Sequence, residues 1–418
     1  MDFYQIKGKN PLSGMLTVHG AKNSILPILA ATLLASGQSI LHNCPELTDV
    51  SITMDILRGL GCQIRREGST LLVDASQPTS TQIPHYLMRE MRSSIVFLGA
   101  LLSRMGEGQL SYPVGCELGP RPIDLHLSSL LALGAEIEEQ QGMLIAKGGN
   151  LVGKDIFLAI PSVGATQNLM LAACGAVGTT TIVGAAKEPE IIELQTVLQK
   201  MGAKVRGAGS SVIQIEGGYP LHGIEHHIQG DRIVAATYLC AVAACGGDVT
   251  VQGVYTQYMR AVLDALERAG CHLQMGQKEV RLQSGGRLQG VSVVRTAPYP
   301  GFPTDAQAIL MAALSGGTGT TMFEENLFDS RYRHVDELSR MGASIQVSGR
   351  VAVVTGRELH GAQVNGTDLR GAAALVVAAL SAQGESQVTG LHHIRRGYER
   401  LEQDLRELGA SITLVQKP

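Results

Sequence analysis

Met201-Gly202-Ala203-Lys204-Val205 is one copy of a short phrase that recurs along the chain. In each copy an apolar residue is followed by a glycine, a small residue, a polar residue and an aliphatic residue. The other copies begin at Leu60, Leu133, Ala269, Met341 and Leu408. Their glycines lie about 70 residues apart, so six units of that length account for all 418 residues.

Each phrase closes a helix and opens a strand. The residues before it have apolar and polar side chains at the spacing of an amphipathic helix, for example over 398–408. The glycine suits the position after a helix where φ is positive. Two strands joined by a turn follow, as in 204–206 and 212–215. The other half of each unit is a helix that is apolar on nearly every side, followed by a β-branched strand such as 178–183. These apolar helices are predicted at 25–34, 95–102, 169–177, 233–244, 306–314 and 372–380. The unit is therefore predicted to be βαβαββ.

A helix with no polar face has to be buried, and the composition agrees with tight burial. The chain has 50 Gly but only 10 Tyr, 6 Phe and no Trp, so its helices are expected to approach one another through small side chains. Six units cannot share one core at this length. We therefore expect two domains of three units, with helices inside and sheets outside, divided near Gln229-Gly230-Asp231. The N-terminal strand, residues 4–7, fits either domain by its sequence.

Composition and motifs exclude several classes of function. The 34 basic and 37 acidic residues are interspersed, which argues against a nucleic-acid partner. The N-terminus lacks signal-peptide features, the apolar runs are too short to span a bilayer, and most of the seven cysteines lie in apolar runs. We therefore expect a cytoplasmic protein with reduced thiols and no membrane partner. No metal-binding spacing, P-loop or Rossmann motif is present, so neither a metal nor a cofactor is expected. The oligomeric state stays open, and a monomer is compatible with the sequence.

Charged and polar residues interrupt the pattern at equivalent points of different units. Helix N-termini carry unpaired N–H groups and positive dipole ends, so added cations predict a small substrate with several negative charges. Before the apolar helices stand Lys22-Asn23, Arg92, 162–164, Asp231-Arg232, Thr304-Asp305 and 368–370; before the amphipathic helices stand Arg121, Glu188, Arg331 and Arg396.

Each of these residues also has a simpler interpretation. Helix capping alone explains Asp231, Thr304, Asp305 and Asp368, and any single cation, Lys22 included, is commonly a solvated surface charge. Cys116 lies in a Gly/Pro-rich loop, where a neighbouring cation would activate the thiol or where it is simply idle. The buried-helix cysteines are interpreted as core residues, and the pairs 226–227 and 392–393 as surface histidines.

These motifs together resemble the UDP-N-acetylglucosamine 1-carboxyvinyltransferase family over essentially the whole chain. The matching segments are 20–23, 115–126, 162–166, 186–190, 230–233, 302–305, 367–370 and 396–399. The resemblance implies a two-domain inverted (inside-out) α/β barrel fold of six βαβαββ units, three per domain, with pseudo-threefold symmetry. The first domain would span 21–229 and carry the Cys116 loop, the second would combine 1–20 with 230–418, and the active site would lie in the cleft between them.

The resemblance also implies a reaction and its substrates. The enolpyruvyl group of phosphoenolpyruvate would pass to the 3′-hydroxyl of UDP-N-acetylglucosamine by addition and elimination, with release of phosphate, as the first committed step of peptidoglycan synthesis. The alternative is a paralogue that binds UDP-N-acetylglucosamine as a sensor or scaffold with little turnover.

The same resemblance assigns roles to individual residues. Asp305 would take the proton of the sugar hydroxyl, and Cys116 would protonate C3 and also carry a covalent adduct; Lys22 and Arg396 complete the catalytic set. Phosphoenolpyruvate would be held by Lys22, Asn23, Arg121, Arg331, Arg370 and Arg396. UDP-N-acetylglucosamine would be held by Asn23, Arg92, Arg121, Pro122, Ile123, Asp124, Leu125, Ser162, Val163, Gly164, Asp305 and Leu327.

Five positions depart from the family pattern. Asp329-Ser330 replaces Glu-Asn, Arg395 replaces Asp, and Ile160 stands where many members carry Lys; in addition, Tyr332 replaces Phe. A shorter acid, an extra cation and a lost nucleotide contact would affect efficiency more than the type of reaction.

Overall fold

A computed structural model describes residues 2–112 and 123–416. The described chain divides into two compact units. One, called here the N-unit, contains residues 20–112 and 123–229; the other, the C-unit, contains residues 2–19 and 230–416. Each unit has its own continuous hydrophobic core.

The helices of the described residues fall into the two predicted kinds, buried and amphipathic. They are α1 (Lys22–Thr32), α2 (Thr48–Gly59), α3 (His85–Glu90), α4 (Phe97–Met105), α5 (Asp124–Leu133), α6 (Val163–Ala173), α7 (Pro189–Lys200), α8 (Arg232–Cys245), α9 (Arg260–Arg268), α10 (Thr304–Ser315), α11 (Val335–Arg340), α12 (Leu369–Ser381), α13 (Leu391–Ile394) and α14 (Leu401–Glu407). Short 3-10 turns at Arg92–Val96 and Thr256–Met259 precede α4 and α9.

The strands are short, mostly of three to six residues. They are β1 (Phe3–Lys7), β2 (Leu12–Thr17), β3 (Gln38–His42), β4 (Gln63–Glu67), β5 (Thr70–Asp74), β6 (Glu107–Ser111), β7 (Glu136–Gln140), β8 (Met143–Lys147), β9 (Asp155–Phe157), β10 (Gly178–Val183), β11 (Lys204–Arg206), β12 (Val212–Gly217), β13 (Glu225–His227), β14 (Gly247–Gln252), β15 (His272–Met275), β16 (Glu279–Ser284), β17 (Val293–Arg295), β18 (Thr320–Glu324), β19 (Ser344–Ser348), β20 (Val351–Thr355), β21 (Gln363–Asn365), β22 (Glu385–Thr389) and β23 (Ser411–Val415).

The predicted βαβαββ unit is confirmed in the order of the elements. In the sheet β17-β18-β20-β19, the parallel pair β17 and β18 is connected through α10, and the antiparallel pair β19 and β20 follows α11. Three such sheets belong to each unit. The sheet β6-β8-β7 has three strands, and a single parallel bridge between Gln82 and Gln109 stands in place of its fourth.

Three strands are placed by pairings that the repeat does not reveal. β1 inserts between β22 and β23, so the N-terminal strand completes the last repeat of the C-unit. β2 precedes α1 in the chain but pairs with β14, and β13 precedes α8 but pairs with β3. β2 is therefore an edge strand of the C-unit, although the chain runs from it directly into the N-unit. β13 is an edge strand of the N-unit, although the chain runs from it directly into the C-unit.

The apolar helices are buried on all sides, as predicted. In α12 every residue from Arg370 to Ser381 is buried, and α8, α10 and α12 pack against one another inside the C-unit. Small residues make this approach possible. At Gly99 of α4, an added Cβ would lie 2.1 Å from the carbonyl oxygen of Asn168 in α6.

The recurring glycines adopt the expected left-handed backbone. Gly61, Gly134, Gly202, Gly270, Gly342 and Gly409 all have φ between 91° and 107°. Two other expectations were wrong. The predicted helix 169–177 lies instead at Val163–Ala173, and the histidine pairs are not both on the surface, because His226 and His393 are buried.

A glycine-to-alanine exchange measures how much stability is lost when a residue with a side chain has to adopt the left-handed backbone conformation. Gly270 has φ +99° and no atom within 4 Å of an added Cβ, so Gly270→Ala introduces backbone strain without a steric clash. We expect it to lower the free energy of unfolding by about 1 kcal/mol in urea denaturation. Gly285→Ala, where the space is equally open and φ lies outside the left-handed region, is the control and should change it by less than about 0.5 kcal/mol. Equal effects would contradict the backbone explanation.

Candidate functional site

The polar residues predicted before the apolar helices lie in or next to the first turns of these buried helices. Lys22 and Asn23 begin α1, Ser162 precedes α6, Asp305 is the second residue of α10, and Arg370 is the second residue of α12. A buried helix can place a polar side chain next to solvent only at its ends, so these positions follow from the burial of the helices.

Asp305 is the centre of a buried charge cluster in the C-unit. Its Oδ1 accepts a hydrogen bond from Nη2 of Arg331 at 2.8 Å, and its Oδ2 accepts one from Nη2 of Arg370 at 3.0 Å. The guanidinium side chains are 3% and 4% exposed, while that of Asp305 is 29% exposed. Two cations therefore share one carboxylate that solvent can reach.

Arg370 is held on its other side by aromatic and hydroxyl groups. Its Nη1 donates to the hydroxyl oxygen of Tyr398 at 3.3 Å, and that hydroxyl lies 2.8 Å from Oγ1 of Thr237 in α8. Burial alone would lower the pKa of Arg370, but the Asp305 carboxylate and the Tyr398 hydroxyl raise it above its ordinary value. Its Nε has no hydrogen-bond partner among the described residues. The guanidinium group of Arg370 is therefore always positively charged, and its Nε–H donor makes no hydrogen bond to the described residues.

His334 adds a neutral group beside these charges. Burial lowers its pKa to about 4, while Asp368 opposes that shift and Arg331 adds to it. At neutral pH the imidazole is therefore uncharged and adds no further positive charge to the cluster.

The capping interpretation holds for two of the four acidic or hydroxyl residues and is wrong for the others. Asp231 accepts hydrogen bonds from the first-turn N–H groups of α8, and Asp368 does the same for α12. Neither Thr304 nor Asp305 caps α10, whose preceding residue is Pro303. The carboxylate of Asp305 is therefore committed to the arginines and not to the helix backbone.

Glu325 is a site residue that the sequence analysis missed. This buried carboxylate accepts hydrogen bonds from the hydroxyl of Thr304 at 2.9 Å and from the backbone N–H groups of Leu327 and Phe328 at 2.9 and 3.1 Å. It joins the loop that carries Leu327 to the start of α10. A signal was available, because the second acid of Glu324-Glu325 follows directly on a buried strand.

In the N-unit, Lys22 is not the solvated surface charge of the simpler interpretation. Its Nζ lies 2.6 Å from Oδ2 of Asp49 in α2, and the two side chains are 11% and 2% exposed. A largely buried ammonium group needs such a partner, because an isolated charge is costly to remove from water.

The other predicted sugar-nucleotide residues of the N-unit lie around two helix starts. Ile123 is buried and Asp124 is exposed at the start of α5, with Leu125 half-buried next to it. Ser162 caps α6 by accepting from the N–H of Ala165 at 3.3 Å, and Val163 and Gly164 form the first turn. Cys116, Arg121, Pro122 and the side chain of Arg92 lie outside the described residues.

The departures from the family pattern have partners in the C-unit. Asp329 pairs with Arg350 at the surface, and Arg395 lies 3.6 Å from the carboxylate of Asp2, which partly offsets its charge. Arg396 is half-buried in the segment between α13 and α14.

In the N-unit, Ile160 is 62% exposed. This large apolar side chain stands two residues before Ser162, the cap of α6.

Within residues 2–112 and 123–416, no helix is long and apolar enough to cross a membrane. In that same part of the chain, no group of three or more His, Cys, Asp or Glu side chains is arranged to hold a metal ion.

Comparisons with known proteins agree on one kind of chemistry. The family profile described as EPSP synthase (3-phosphoshikimate 1-carboxyvinyltransferase) matches residues 6–405. The chain is 47% identical over 416 residues to UDP-N-acetylglucosamine 1-carboxyvinyltransferase 2 of Caldanaerobacter subterraneus subsp. tengcongensis, covering 99% of this chain and 100% of that one. It is also 47% identical to UDP-N-acetylglucosamine 1-carboxyvinyltransferase 1 of Symbiobacterium thermophilum, covering 99% and 95%. The crystal structure of the enolpyruvyl transferase NikO from Streptomyces tendae superposes with a TM-score of 0.90 at 27% identity, covering 100% and 99%.

The shared carboxylate can be tested through stability. Asp305→Asn removes the charge that Arg331 and Arg370 share, so two buried cations lose their counter-charge. We expect the free energy of unfolding to fall by about 2 kcal/mol in urea denaturation. Asp248→Asn is the matched control, because Asp248 makes a two-bond pair with Arg281 at the surface, where the loss should stay below about 1 kcal/mol. Equal losses would show that burial of the pair is unimportant.

Proposed function

Because the chain belongs to the UDP-N-acetylglucosamine 1-carboxyvinyltransferases of the EPSP synthase family, we propose that it transfers the enolpyruvyl group of phosphoenolpyruvate to the 3′-hydroxyl of UDP-N-acetylglucosamine and releases phosphate. In a cell this reaction would begin the synthesis of peptidoglycan precursors. None of the relatives named above favours the sensor alternative. We also propose that the protein works in the cytoplasm, on the sequence-based expectation of reduced thiols.

The observation that best supports the proposal is the carboxylate of Asp305 held between Arg331 and Arg370. Phosphoenolpyruvate carries a phosphate and a carboxylate, and guanidinium groups form paired hydrogen bonds with both. An incoming anion competes with Asp305 for these donors. As it binds, it frees a carboxylate oxygen at a point that solvent can reach.

The freed carboxylate supplies the base for the first step. Asp305 accepts the proton of the 3′-hydroxyl while the sugar oxygen bonds to C2 of phosphoenolpyruvate, and Cys116 delivers a proton to C3. The product of this addition is a tetrahedral intermediate that still carries the phosphate. In the second step C3 returns a proton to the Cys116 thiolate, the double bond reforms between C2 and C3, and the C2–O bond breaks so that phosphate leaves with the bonding electrons.

The remaining cations stabilise negative charge. Lys22, Arg121, Arg331, Arg370 and Arg396 are assigned to phosphoenolpyruvate, together with Asn23. Fixed cations in a site from which water is excluded stabilise developing charge more strongly than mobile ions in solution. The location of this site in a cleft between domains 21–229 and 1–20 plus 230–418 stays a prediction.

The sugar nucleotide is assigned mainly to segments of the N-unit. Arg92, 121–125 and 162–164 would hold it, with Asn23, Asp305 and Leu327 on the sugar. Support comes from the position of Ser162, Val163 and Gly164 at the start of α6, because the N–H groups and dipole of a helix N-terminus favour phosphate oxygens.

The proposed reaction is tested by phosphate release. Wild-type protein with phosphoenolpyruvate should release phosphate only when UDP-N-acetylglucosamine is added. Cys116→Ala should reduce the rate at least about a hundredfold, because a proton donor is removed, and Cys62→Ala should leave it unchanged as a buried-cysteine control. Release that needs no sugar nucleotide, or that requires shikimate 3-phosphate, would contradict the assignment, and so would release from Cys116→Ala equal to that of the wild type.

Selective alkylation tests the special role of Cys116. Burial raises the pKa of Cys62 and Cys271 to about 11 and that of Cys44, Cys174 and Cys245 to about 12, and it raises that of Cys240 further. None of these six thiols is a thiolate at pH 7, and only thiolates react readily with an epoxide. Fosfomycin should therefore add once per chain at pH 7, at Cys116, as measured by peptide mass spectrometry. Cys116→Ala should take up none, and an adduct on another cysteine would overturn the prediction.

A further inference from the structure

Asn168 is a polar side chain that lies fully buried in α6. Its Oδ1 accepts a hydrogen bond from the backbone N–H of Gly99 at 2.6 Å, and its Nδ2 donates to the carbonyl oxygen of Ile95 at 3.2 Å. Gly99 and Ile95 are four residues apart, the pair that an uninterrupted α-helix joins directly. The carboxamide of Asn168 therefore bridges the junction between the 3-10 turn Arg92–Val96 and α4.

The same carboxamide also fixes His126. Nδ2 of Asn168 lies 3.1 Å from Nδ1 of His126, which is buried in the first turn of α5. Because Oδ1 of Asn168 is committed to the N–H of Gly99, its Nδ2 is the donor and Nδ1 of His126 the acceptor. The imidazole is therefore neutral, with its proton on Nε2.

The Nε2 edge of this ring lies against the start of α6. An added Cβ at Gly164 would be 3.0 Å from Cε1 and 3.1 Å from Nε2 of His126, so the ring packs on the backbone of the first turn. Asn168 is one helical turn further along the same face of α6. The ring is thus held between the first turn of α6 and the carboxamide.

Three chain segments meet at this network. The 3-10 turn begins at Arg92, the first turn of α5 follows directly on Ile123, and the first turn of α6 contains Gly164. Under the proposed function, each of these segments contributes to UDP-N-acetylglucosamine binding. All of them lie in the N-unit, and no group of the Asp305 cluster takes part.

We infer that Asn168 and His126 are positioning residues for the sugar nucleotide, which set the relative placement of the three segments without touching the substrate. This inference rests on the proposed function. The inference goes beyond the proposed function because it separates the residues that place the UDP-N-acetylglucosamine segments from those that act on phosphoenolpyruvate.

Two substitutions of His126 separate positioning from general stability. Asn at this position places an amide oxygen near the position of Nδ1. Gln extends past that position, so one of the two N–H donors of the Asn168 amide loses its acceptor while the other still bonds to Ile95. We expect His126→Gln to raise the Kd for UDP-N-acetylglucosamine about tenfold by calorimetry, with the KM for phosphoenolpyruvate changed less than about twofold. His126→Asn should restore the Kd to within about threefold of the wild type.

A matched control removes another buried histidine contact in the same unit. His226 is buried and lies 3.0 Å from the carboxylate of Glu193. His226→Asn, whose shorter amide does not reach the position of Nε2, should lower the Tm as much as His126→Gln does while leaving the Kd for UDP-N-acetylglucosamine unchanged. A weaker Kd in both variants would mean that loss of stability explains the effect, and the inference would fall.

A second measurement needs no variant. In 1H–15N spectra of the wild-type protein, saturation with UDP-N-acetylglucosamine should shift the side-chain amide signals of Asn168 and the backbone signal of Gly99. Unchanged signals at both would overturn the inference.

The two proposals fail in different ways. If the wild type binds UDP-N-acetylglucosamine but releases no phosphate, the transferase reaction is wrong, and the Kd values still decide the positioning role. If it releases phosphate while His126→Gln binds the sugar nucleotide normally, only the positioning role is wrong. Absence of any UDP-N-acetylglucosamine binding would overturn both.

Discussion

A helix that is apolar on every side can bring polar groups to solvent only at its ends, and this constraint organises the molecule. Six such helices form the centres of the two units, and their side chains are small enough for close packing. Lys22, Ser162, Asp305 and Arg370 are all found in or next to first turns for this reason. Helix dipoles and unpaired N–H groups at the same ends favour anionic ligands, so burial and ligand chemistry have a common origin.

The charges at these ends are paired with other side chains of the protein. Asp305 pairs with two buried guanidinium groups, and Asp49 pairs with Lys22. Such pairs contribute little net stability, because desolvation offsets much of the attraction. Under the proposed function, the guanidinium donors exchange their charge-assisted hydrogen bonds to Asp305 for hydrogen bonds to the substrate anion. The cations are held in place before the substrate arrives.

Local pattern predicted the repeat well and the contacts between distant segments poorly. The six glycines of the phrase all adopt positive φ, because helix termination is decided within a few residues of chain. The role of Asp305 was ambiguous in the sequence, since a first-turn Asp caps a helix as readily as it binds a cation. Asn168 was visible as a polar residue, but its partners Gly99 and His126 lie 69 and 42 residues away along the chain.

The sequence by itself determined six βαβαββ units, the buried and amphipathic helices within them, and polar groups at the helix starts. These features depend on periodicity and on residues close together in the chain. Only the tertiary structure decided that β1 completes the last repeat, that β2 pairs with β14 and that β13 pairs with β3, strands that are distant from them in the chain. A strand edge offers the same N–H and C=O groups to any neighbour, so its partner is selected by the packing of whole units. The pairing of Asp305 with Arg331 and Arg370 was decided in the same way, by segments that meet only in the folded chain.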